Sequence, residues 1–268
     1  MIANILSIAG SDPSGGAGIQ ADLKAISANG GYGMAALTAL TAQNTQGVRA
    51  VTLIAPEMVA AQIGAIREDI RIDAVKIGML GSAALIEAVA EALSGLAAPV
   101  VLDPVMVAKG GDRLLAAEAV TALRDRLLPL ATVITPNLPE AADLLETTVA
   151  ADRAGMEAQA QALLALGPGA VLLKGGHLAG ADSPDLLLGA GQARWIEGER
   201  QATRNTHGTG CTLSSALATL LGRGLSLGEA SAQAKSYIAR AIARSGDLSV
   251  GSGHGPVHHF HAFFPEAT

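Results

Sequence analysis

The chain has 268 residues, 50% of them apolar and 16% charged, with 18 basic against 24 acidic side chains and a net charge of −6. That length and apolar content suit one α/β domain with a well-filled core, spanning residues 1–268, and exclude an intrinsically disordered chain. One Trp, two Tyr, three Phe and no basic run exclude a nucleic-acid binder, which needs stacking platforms or a cationic groove.

In chain order, residues 5–9 read as a strand, followed by a glycine-rich turn and a helix over 18–28. Residues 34–42 and 48–55 read as strands, and Pro56 opens a helix with Val59, Ile63, Ile66 and Ile70 on one stripe. A strand over 74–78 leads to a helix capped by Ser82, with Ile86, Val89 and Leu93 on its core side. Strand 100–102 precedes a helix carrying Val120, Leu123 and Leu127, and strand 132–135 precedes a helical pair. Strand 170–173 is followed by a hairpin, 186–188 with 194–196, turning at Gly189 and Gly191. Helices over 209–222 and 227–245 close the pattern. Strands alternating with helices predict a mostly parallel sheet covered on both faces.

Residues 25–48 are uncharged and long enough to span a membrane, but Ser27, Asn29, Gln43, Asn44 and Gln46 would then face lipid. The first residues lack the basic region of a signal peptide. Cys211, the single cysteine, forms no internal disulfide and suits the reducing cytoplasm.

Ligands of such sheets sit at the carboxyl ends of strands. Those ends carry Gly10-Ser11-Asp12-Pro13-Ser14-Gly15-Gly16-Ala17-Gly18, Gln43-Asn44, Gly78-Met79, Asp103-Pro104, Pro136-Asn137 and Lys174-Gly175-Gly176-His177. Thr206-His207-Gly208-Thr209-Gly210-Cys211 opens a helix. It is either an anion seat made by free backbone N–H groups or a plain loop capped by Thr209. Cys211 in that first turn is either a thiol of lowered pKa or a small buried hydrophobe. Lys235 shares an apolar stripe with Ile238 and Ile242, so it either snorkels outward or meets an internal anion. Asp22 lies on the core side of the first helix with Ile19, Leu23 and Ile26, and needs a donor or a ligand. Asn137 and Glu140 have the spacing of a capping box. Glu140 could instead join Asp103 in holding Mg²⁺, which takes few carboxylates and several waters. Neither a Walker motif nor G-x-G-x-x-G is present. His258, His259 and His261 make a weak metal pattern, and packing of Phe260, Phe263 and Phe264 is the expected role of that tail.

The stretches 8–22, Thr38-Ala39-Leu40-Thr41-Ala42-Gln43-Asn44, Lys76-Ile77-Gly78-Met79-Leu80 and Leu102-Asp103-Pro104-Val105-Met106 together carry a resemblance, joined by Ile134-Thr135-Pro136-Asn137-Leu138-Pro139-Glu140-Ala141 and Lys174-Gly175-Gly176-His177. Asn205 to Thr212 and the tail Gly255-Pro256-Val257-His258-His259-Phe260-His261 extend it. In register from end to end, the chain resembles the hydroxymethylpyrimidine/phosphomethylpyrimidine kinases of thiamine biosynthesis. The resemblance implies a three-layer αβα ribokinase-like fold, a homodimer, ATP and Mg²⁺. It also implies two successive phosphorylations of 4-amino-5-hydroxymethyl-2-methylpyrimidine. By position it places Gln43, Met79, Val107, Asp22 and Gly10 around the pyrimidine. Gly208, Thr209 and Gly210 become an anion hole with Cys211 as base. Lys174, Lys235, Thr206, His207 and Asn137 fall on the nucleotide side, and Asp103 and Glu140 on the metal. Rival readings are a pyridoxal/pyridoxine kinase of the same superfamily, against which Gln43 speaks, and a pyrimidine sensor without catalysis, against which the full set of polar residues speaks.

Overall fold

The computed structural model describes residues 1–106, 117–189 and 192–264. Eight strands form one sheet in the order β10-β9-β8-β7-β6-β5-β1-β2. They are β1 (Ala3–Ala9), β2 (Gly31–Leu37), β5 (Ala74–Ile77), β6 (Val100–Leu102), β7 (Val133–Ile134), β8 (Ala170–Lys174), β9 (Asp185–Gly189) and β10 (Gln192–Ile196). β2, β1, β5, β6, β7 and β8 run parallel, while β9 is antiparallel to both β8 and β10. The predicted hairpin is thus the β9–β10 edge; its turn at Gly191 lies outside the described residues.

Successive strand residues point to opposite faces, and the core divides accordingly. Leu6, Val75, Leu102, Ile134 and Val171 pack with α2 (Pro56–Asp69), α3 (Ala83–Leu93), α4 (Ala117–Ala122), α5 (Leu138–Leu145) and α6 (Arg153–Leu164). Ile5, Ala74, Val101, Val133 and Leu172 pack with α1 (Gly18–Ala28), α7 (Thr209–Gly222) and α8 (Leu227–Ala243). Helices therefore cover both faces, in three layers. Ser82 caps α3 as predicted, its Oγ accepting from the Leu85 amide. Among the described residues no helix is long and apolar enough to cross a membrane.

The strand predicted over 34–42 is two strands in two sheets. β2 pairs with β1, whereas β3 (Ala39–Asn44) pairs with β4 (Gly47–Leu53) in a separate two-stranded ribbon. Buried Thr38 makes the switch: its amide donates to Ala9 O at 3.1 Å, its hydroxyl donates to Met79 O at 2.6 Å, and its carbonyl accepts from the Ile54 amide at 2.9 Å. β2 also begins earlier than predicted, at Gly31. A Cβ there would meet Ile26 and Thr219 side chains at 2.9 Å, so the absence of a side chain lets the helices close on the strand.

The tail differs from expectation. Phe260 is half-buried, but Phe263 and Phe264 are 65% and 59% exposed, whereas His258, His259 and His261 are buried. His259 Nε2 lies 3.0 Å from the Thr212 hydroxyl, and Tyr237 donates to its carbonyl at 2.8 Å. Burial, with the nearby charges of Lys24 and His258, pulls its pKa from 6.5 to about 3. The unfolded chain therefore binds a proton below about pH 6.5 that the native chain refuses, so stability present above that pH is lost as pH falls toward 3. Each pH unit in that window removes up to about 1.4 kcal/mol. Urea midpoints measured from pH 6.5 to 4.5 should fall more steeply for the wild type than for His259→Gln; parallel curves would contradict the assignment.

Candidate active site

The parallel strands bring β1, β5, β6 and β8 to one edge with their carboxyl ends aligned, and α7 starts there. Between them and the β3–β4 ribbon lies a cleft of about 890 Å³. Gly10, Gln43, Met79, Asp103, Asn137, Glu140, Lys174, Thr206, His207, Gly208, Thr209, Gly210, Cys211 and Lys235 all line it. Val107 lies outside the described residues.

At the start of α7, Gly208 is the N-cap at φ 76°, a left-handed conformation that glycine adopts freely, and no side chain caps the helix. Thr209 turns its hydroxyl to Thr206 O at 2.7 Å instead. The capped-loop alternative therefore fails. The first-turn amides, which have no partner within a helix, open on the cleft together with the positive end of the helix dipole. A Cβ on Gly208 would sit 1.7 Å from Gly16 O, so glycine also lets the turn pack against the 10–18 turn. A Cβ on Gly210 would meet Asp103 Oδ2 at 3.2 Å and Lys174 Nζ at 3.3 Å, which places the seat directly beside that ion pair.

Lys174 Nζ donates to Asp103 Oδ1 at 3.0 Å and stands 3.9 Å from Glu140 Oε2. Thr135 donates to Asp103 Oδ1 at 3.0 Å. Burial would lower the Lys174 pKa, but Asp103 and Glu140 hold it above its ordinary value. Asn137 and Glu140 form the full capping box: the Asn137 amide donates to Glu140 Oε2 at 2.8 Å, and the Glu140 amide donates to Asn137 Oδ1 at 2.9 Å. The bland reading is realised, yet it does not exclude the other, because both residues still line the cleft. Burial pushes Glu140 up to about 7, with Lys174 opposing and Asp103 adding to the rise. Two carboxylates share one ammonium here, so the site lacks positive charge.

Of the two readings of Cys211, the thiol of lowered pKa fails. The helix start would lower its thiol pKa, but burial pushes it up to about 11, opposed by Lys76 and reinforced by Asp22 and Asp103. Desolvation outweighs the dipole. Asp22, expected against the substrate, is fully buried and does not line the cleft. It accepts from Lys76 Nζ at 2.9 and 2.8 Å, from Ser7 Oγ at 2.7 Å and from Ser215 Oγ at 2.8 Å. Lys76, which sequence reasoning passed over, does line the cleft. Its signal was a lone charge in the apolar run Ala74-Val75-Lys76-Ile77.

His207, expected on the nucleotide side, stands instead with Gln43 and Asp12. Its Nε2 is 2.7 Å from Asp12 Oδ2 and 3.4 Å from Gln43 Nε2. Buried Asp12 also accepts from Ser14 and from the Ala17 amide. Burial raises its pKa, but the His207 and Ser14 hydrogen bonds win and hold it below the usual carboxylate value. Asp12 thereby fixes the 10–18 turn against His207, a pairing that its place in the glycine-rich turn did not reveal. Gly10 adjoins Met79, a Cβ there lying 3.3 Å from Met79 Cε. At the other end Lys235 meets an internal anion: its Nζ is 2.8 Å from Asp185 Oδ2 and donates to Ser183 O at 2.6 Å.

An open, mostly parallel sheet whose uncapped helix start faces a partly apolar cleft is the arrangement of the ribokinase-like small-molecule kinases. Solved structures agree. The chain is 37% identical to Bacillus subtilis pyridoxal kinase in an ADP complex, with a TM-score of 0.89 over 98% of this chain and 99% of that one. It is 44% identical to phosphomethylpyrimidine kinase from Clostridium difficile, with a TM-score of 0.79 over 90% and 99%. A family model described as phosphomethylpyrimidine kinase matches residues 12–258. The hydroxymethylpyrimidine/phosphomethylpyrimidine kinase of Salmonella typhimurium is 54% identical, over 97% of this chain and 98% of the relative. This chain belongs to the phosphomethylpyrimidine kinase family.

Proposed function

We propose that this protein uses ATP with Mg²⁺ to phosphorylate 4-amino-5-hydroxymethyl-2-methylpyrimidine, and then phosphorylates that product to the diphosphate for thiamine diphosphate synthesis. The observation that carries the reading is the uncapped first turn of α7, which adjoins Lys174 and Asp103 on one side and, through His207, Gln43 on the other. The family's name and full-length match support it.

Phosphoryl transfer asks for alignment and charge stabilisation more than for covalent help. The amides of the α7 start receive the phosphoryl group in flight, and Lys174 adds a nearby positive charge. Gln43 reads the aminopyrimidine edge with its amide, while Met79 and Gly10 flank the ring. In the first step the acceptor hydroxyl loses its proton, and Cys211 is placed to take it. In the second step the acceptor is an ionised phosphate and needs no base.

The donor set suits Mg²⁺: Asp103 and Glu140 would hold it, with Asn137 nearby, and phosphate oxygens and waters would complete its shell. The shortage of positive charge around these two carboxylates supports that fit. When bound, the ion would neutralise charge on the phosphate oxygens.

Lys235 and Thr206 border the nucleotide phosphates, with the Lys235 charge partly balanced by Asp185. Arg200 frames this end. Its guanidinium donates to Gly180 O at 2.9 Å, Gly176 O at 2.8 Å and Leu178 O at 2.5 Å, strapping the loop after β8. Arg200→Ala should raise the KM for ATP by about three- to tenfold and leave the KM for the pyrimidine unchanged, as loss of loop hydrogen bonds predicts. Equal changes in both constants would contradict that placement.

A homodimer and a cytoplasmic location belong to the same proposal. Exposed Leu40, Val51 and Leu53 on the β3–β4 ribbon support the dimer. One domain over 1–268 is supported by the sheet that joins β1 to β10.

Pyridoxal is the competing acceptor, favoured by the likeness to pyridoxal kinase structures. Side-by-side kcat/KM values for the two alcohols test the reading. It predicts the hydroxymethylpyrimidine well ahead, and a preference for pyridoxal would overturn it.

A further inference from the structure

Buried Asp12 accepts from the Ser14 amide and hydroxyl on Oδ1, at 2.9 and 2.7 Å, and from the Ala17 amide on Oδ2 at 2.8 Å. A carboxylate so surrounded by donors has no proton to give, so the proton between Oδ2 and His207 Nε2, 2.7 Å apart, belongs to the ring. His207 Nε2 therefore presents an N–H and no lone pair. Thr41 donates its single hydroxyl proton to Ser11 O at 2.9 Å, so its oxygen meets Gln43 as an acceptor. The Gln43 amide lies between the two, with Nε2 3.4 Å from His207 Nε2 and Oε1 3.3 Å from Thr41 Oγ1. That orientation sets donor against donor at one end and acceptor against acceptor at the other. A half-turn of the amide exchanges its oxygen and nitrogen, and hydrogen bonding decides between the two. After the half-turn the carbonyl oxygen shares the His207 N–H with Asp12, and the amide nitrogen donates to Thr41.

We propose that Asp12, His207 and Thr41 are positioning residues that hold the Gln43 amide with its oxygen toward His207 and its nitrogen toward Thr41, and so select an acceptor edge carrying an amino group beside a ring nitrogen. This deepens the proposed function and rests on it for the identity of the acceptor. So held, the amide keeps one carbonyl lone pair and one N–H for a ligand. The 4-amino group of the pyrimidine pairs with the oxygen and N3 with the nitrogen. The carbon bearing the hydroxymethyl group adjoins the amino carbon and lies away from N3. An amino group on the His207 side therefore turns the hydroxymethyl toward His207, whose next residue is Gly208 at the start of α7. A reversed amide would take the ring turned over, with its hydroxymethyl directed away from α7. A 4-oxo ring carries the opposite edge, a carbonyl beside an N–H, and would set oxygen against oxygen. The amide orientation thus governs both which edge is accepted and which way the reacting oxygen faces.

Two measurements on the full chain test this. In the unliganded protein, labelled with nitrogen-15 histidine, the His207 Nε2 resonance, assigned by its loss in His207→Gln, should be that of a protonated nitrogen. A bare Nε2 would overturn the proposal. The second measurement is the ratio of kcat/KM for the 4-amino acceptor to that for its 4-oxo analogue, 5-hydroxymethyl-2-methylpyrimidin-4-one. The wild type should favour the amino compound by about 100-fold or more, because the wrong edge leaves the site's polar groups unpaired. His207→Leu and Thr41→Val each release one end of the amide and should shrink that ratio by about tenfold. His207→Gln keeps an N–H and Thr41→Ser keeps the hydroxyl, so both should retain it. Partial misfolding lowers the two rates together and leaves their ratio alone. A ratio unchanged in both His207→Leu and Thr41→Val, or lost equally in the conservative variants, would overturn the proposal. If Nε2 is protonated but the wild type phosphorylates pyridoxal and neither pyrimidine, the acceptor reading fails and the amide orientation stands.

Discussion

Cys211→Ala is expected to lower kcat/KM for the hydroxymethylpyrimidine by about 100-fold or more, in line with the loss of a general base. Turnover of the monophosphate should fall by less than about threefold. A phosphate monoester is largely ionised at neutral pH, its second pKa lying near 6, and it attacks without giving up a proton in the transition state. An alcohol must lose one. The raised pKa of the Cys211 thiol, about 11, makes the thiolate scarce in the unliganded protein. The alcohol step should accordingly quicken with rising pH in a way the phosphate step does not. Equal losses on the two acceptors would reduce Cys211 to a shape-matched neighbour.

Gly208→Ala should damage both steps alike, by about 100- to 1000-fold, as removing donors from a preorganised anion site does. The added Cβ would lie 1.7 Å from Gly16 O, which is backbone and cannot swing aside, and φ 76° is a strained conformation for alanine. Opening the Gly208–Gly16 contact rotates the very amides proposed to hold the phosphoryl group. Gly246→Ala, where a Cβ would find nothing within 4 Å, is the matching control and should retain activity. Steady-state assays on both acceptors check the contrast: a Gly208→Ala enzyme that kept one step intact would show that the two transfers use different seats.

Periodicity and caps made most helices legible: Ser82 and the Asn137–Glu140 box mark the starts of α3 and α5, and apolar stripes mark α3 and α8. A glycine-rich helix start was legible in Thr206 to Cys211, and the structure leaves that start without a side-chain cap, which is what the proposed anion seat requires. What could not be read locally depends on partners distant in sequence. The change of sheet at Thr38 rests on Ala9, Ile54 and Met79. The thiol of Cys211 rises through burial, which no first-turn argument contains. Asp22 was rightly expected to need a partner, yet that partner is Lys76, 54 residues away, not a ligand. His207 likewise turned toward Asp12, 195 residues away.

The most direct test of the account is to incubate the full chain with Mg·ATP and 4-amino-5-hydroxymethyl-2-methylpyrimidine and to follow the products by mass over time. The account predicts a monophosphate that accumulates and is then converted to the diphosphate, with one ATP consumed at each stage. ATP left intact while the pyrimidine binds, or a monophosphate that never advances when supplied as the sole acceptor, would contradict it.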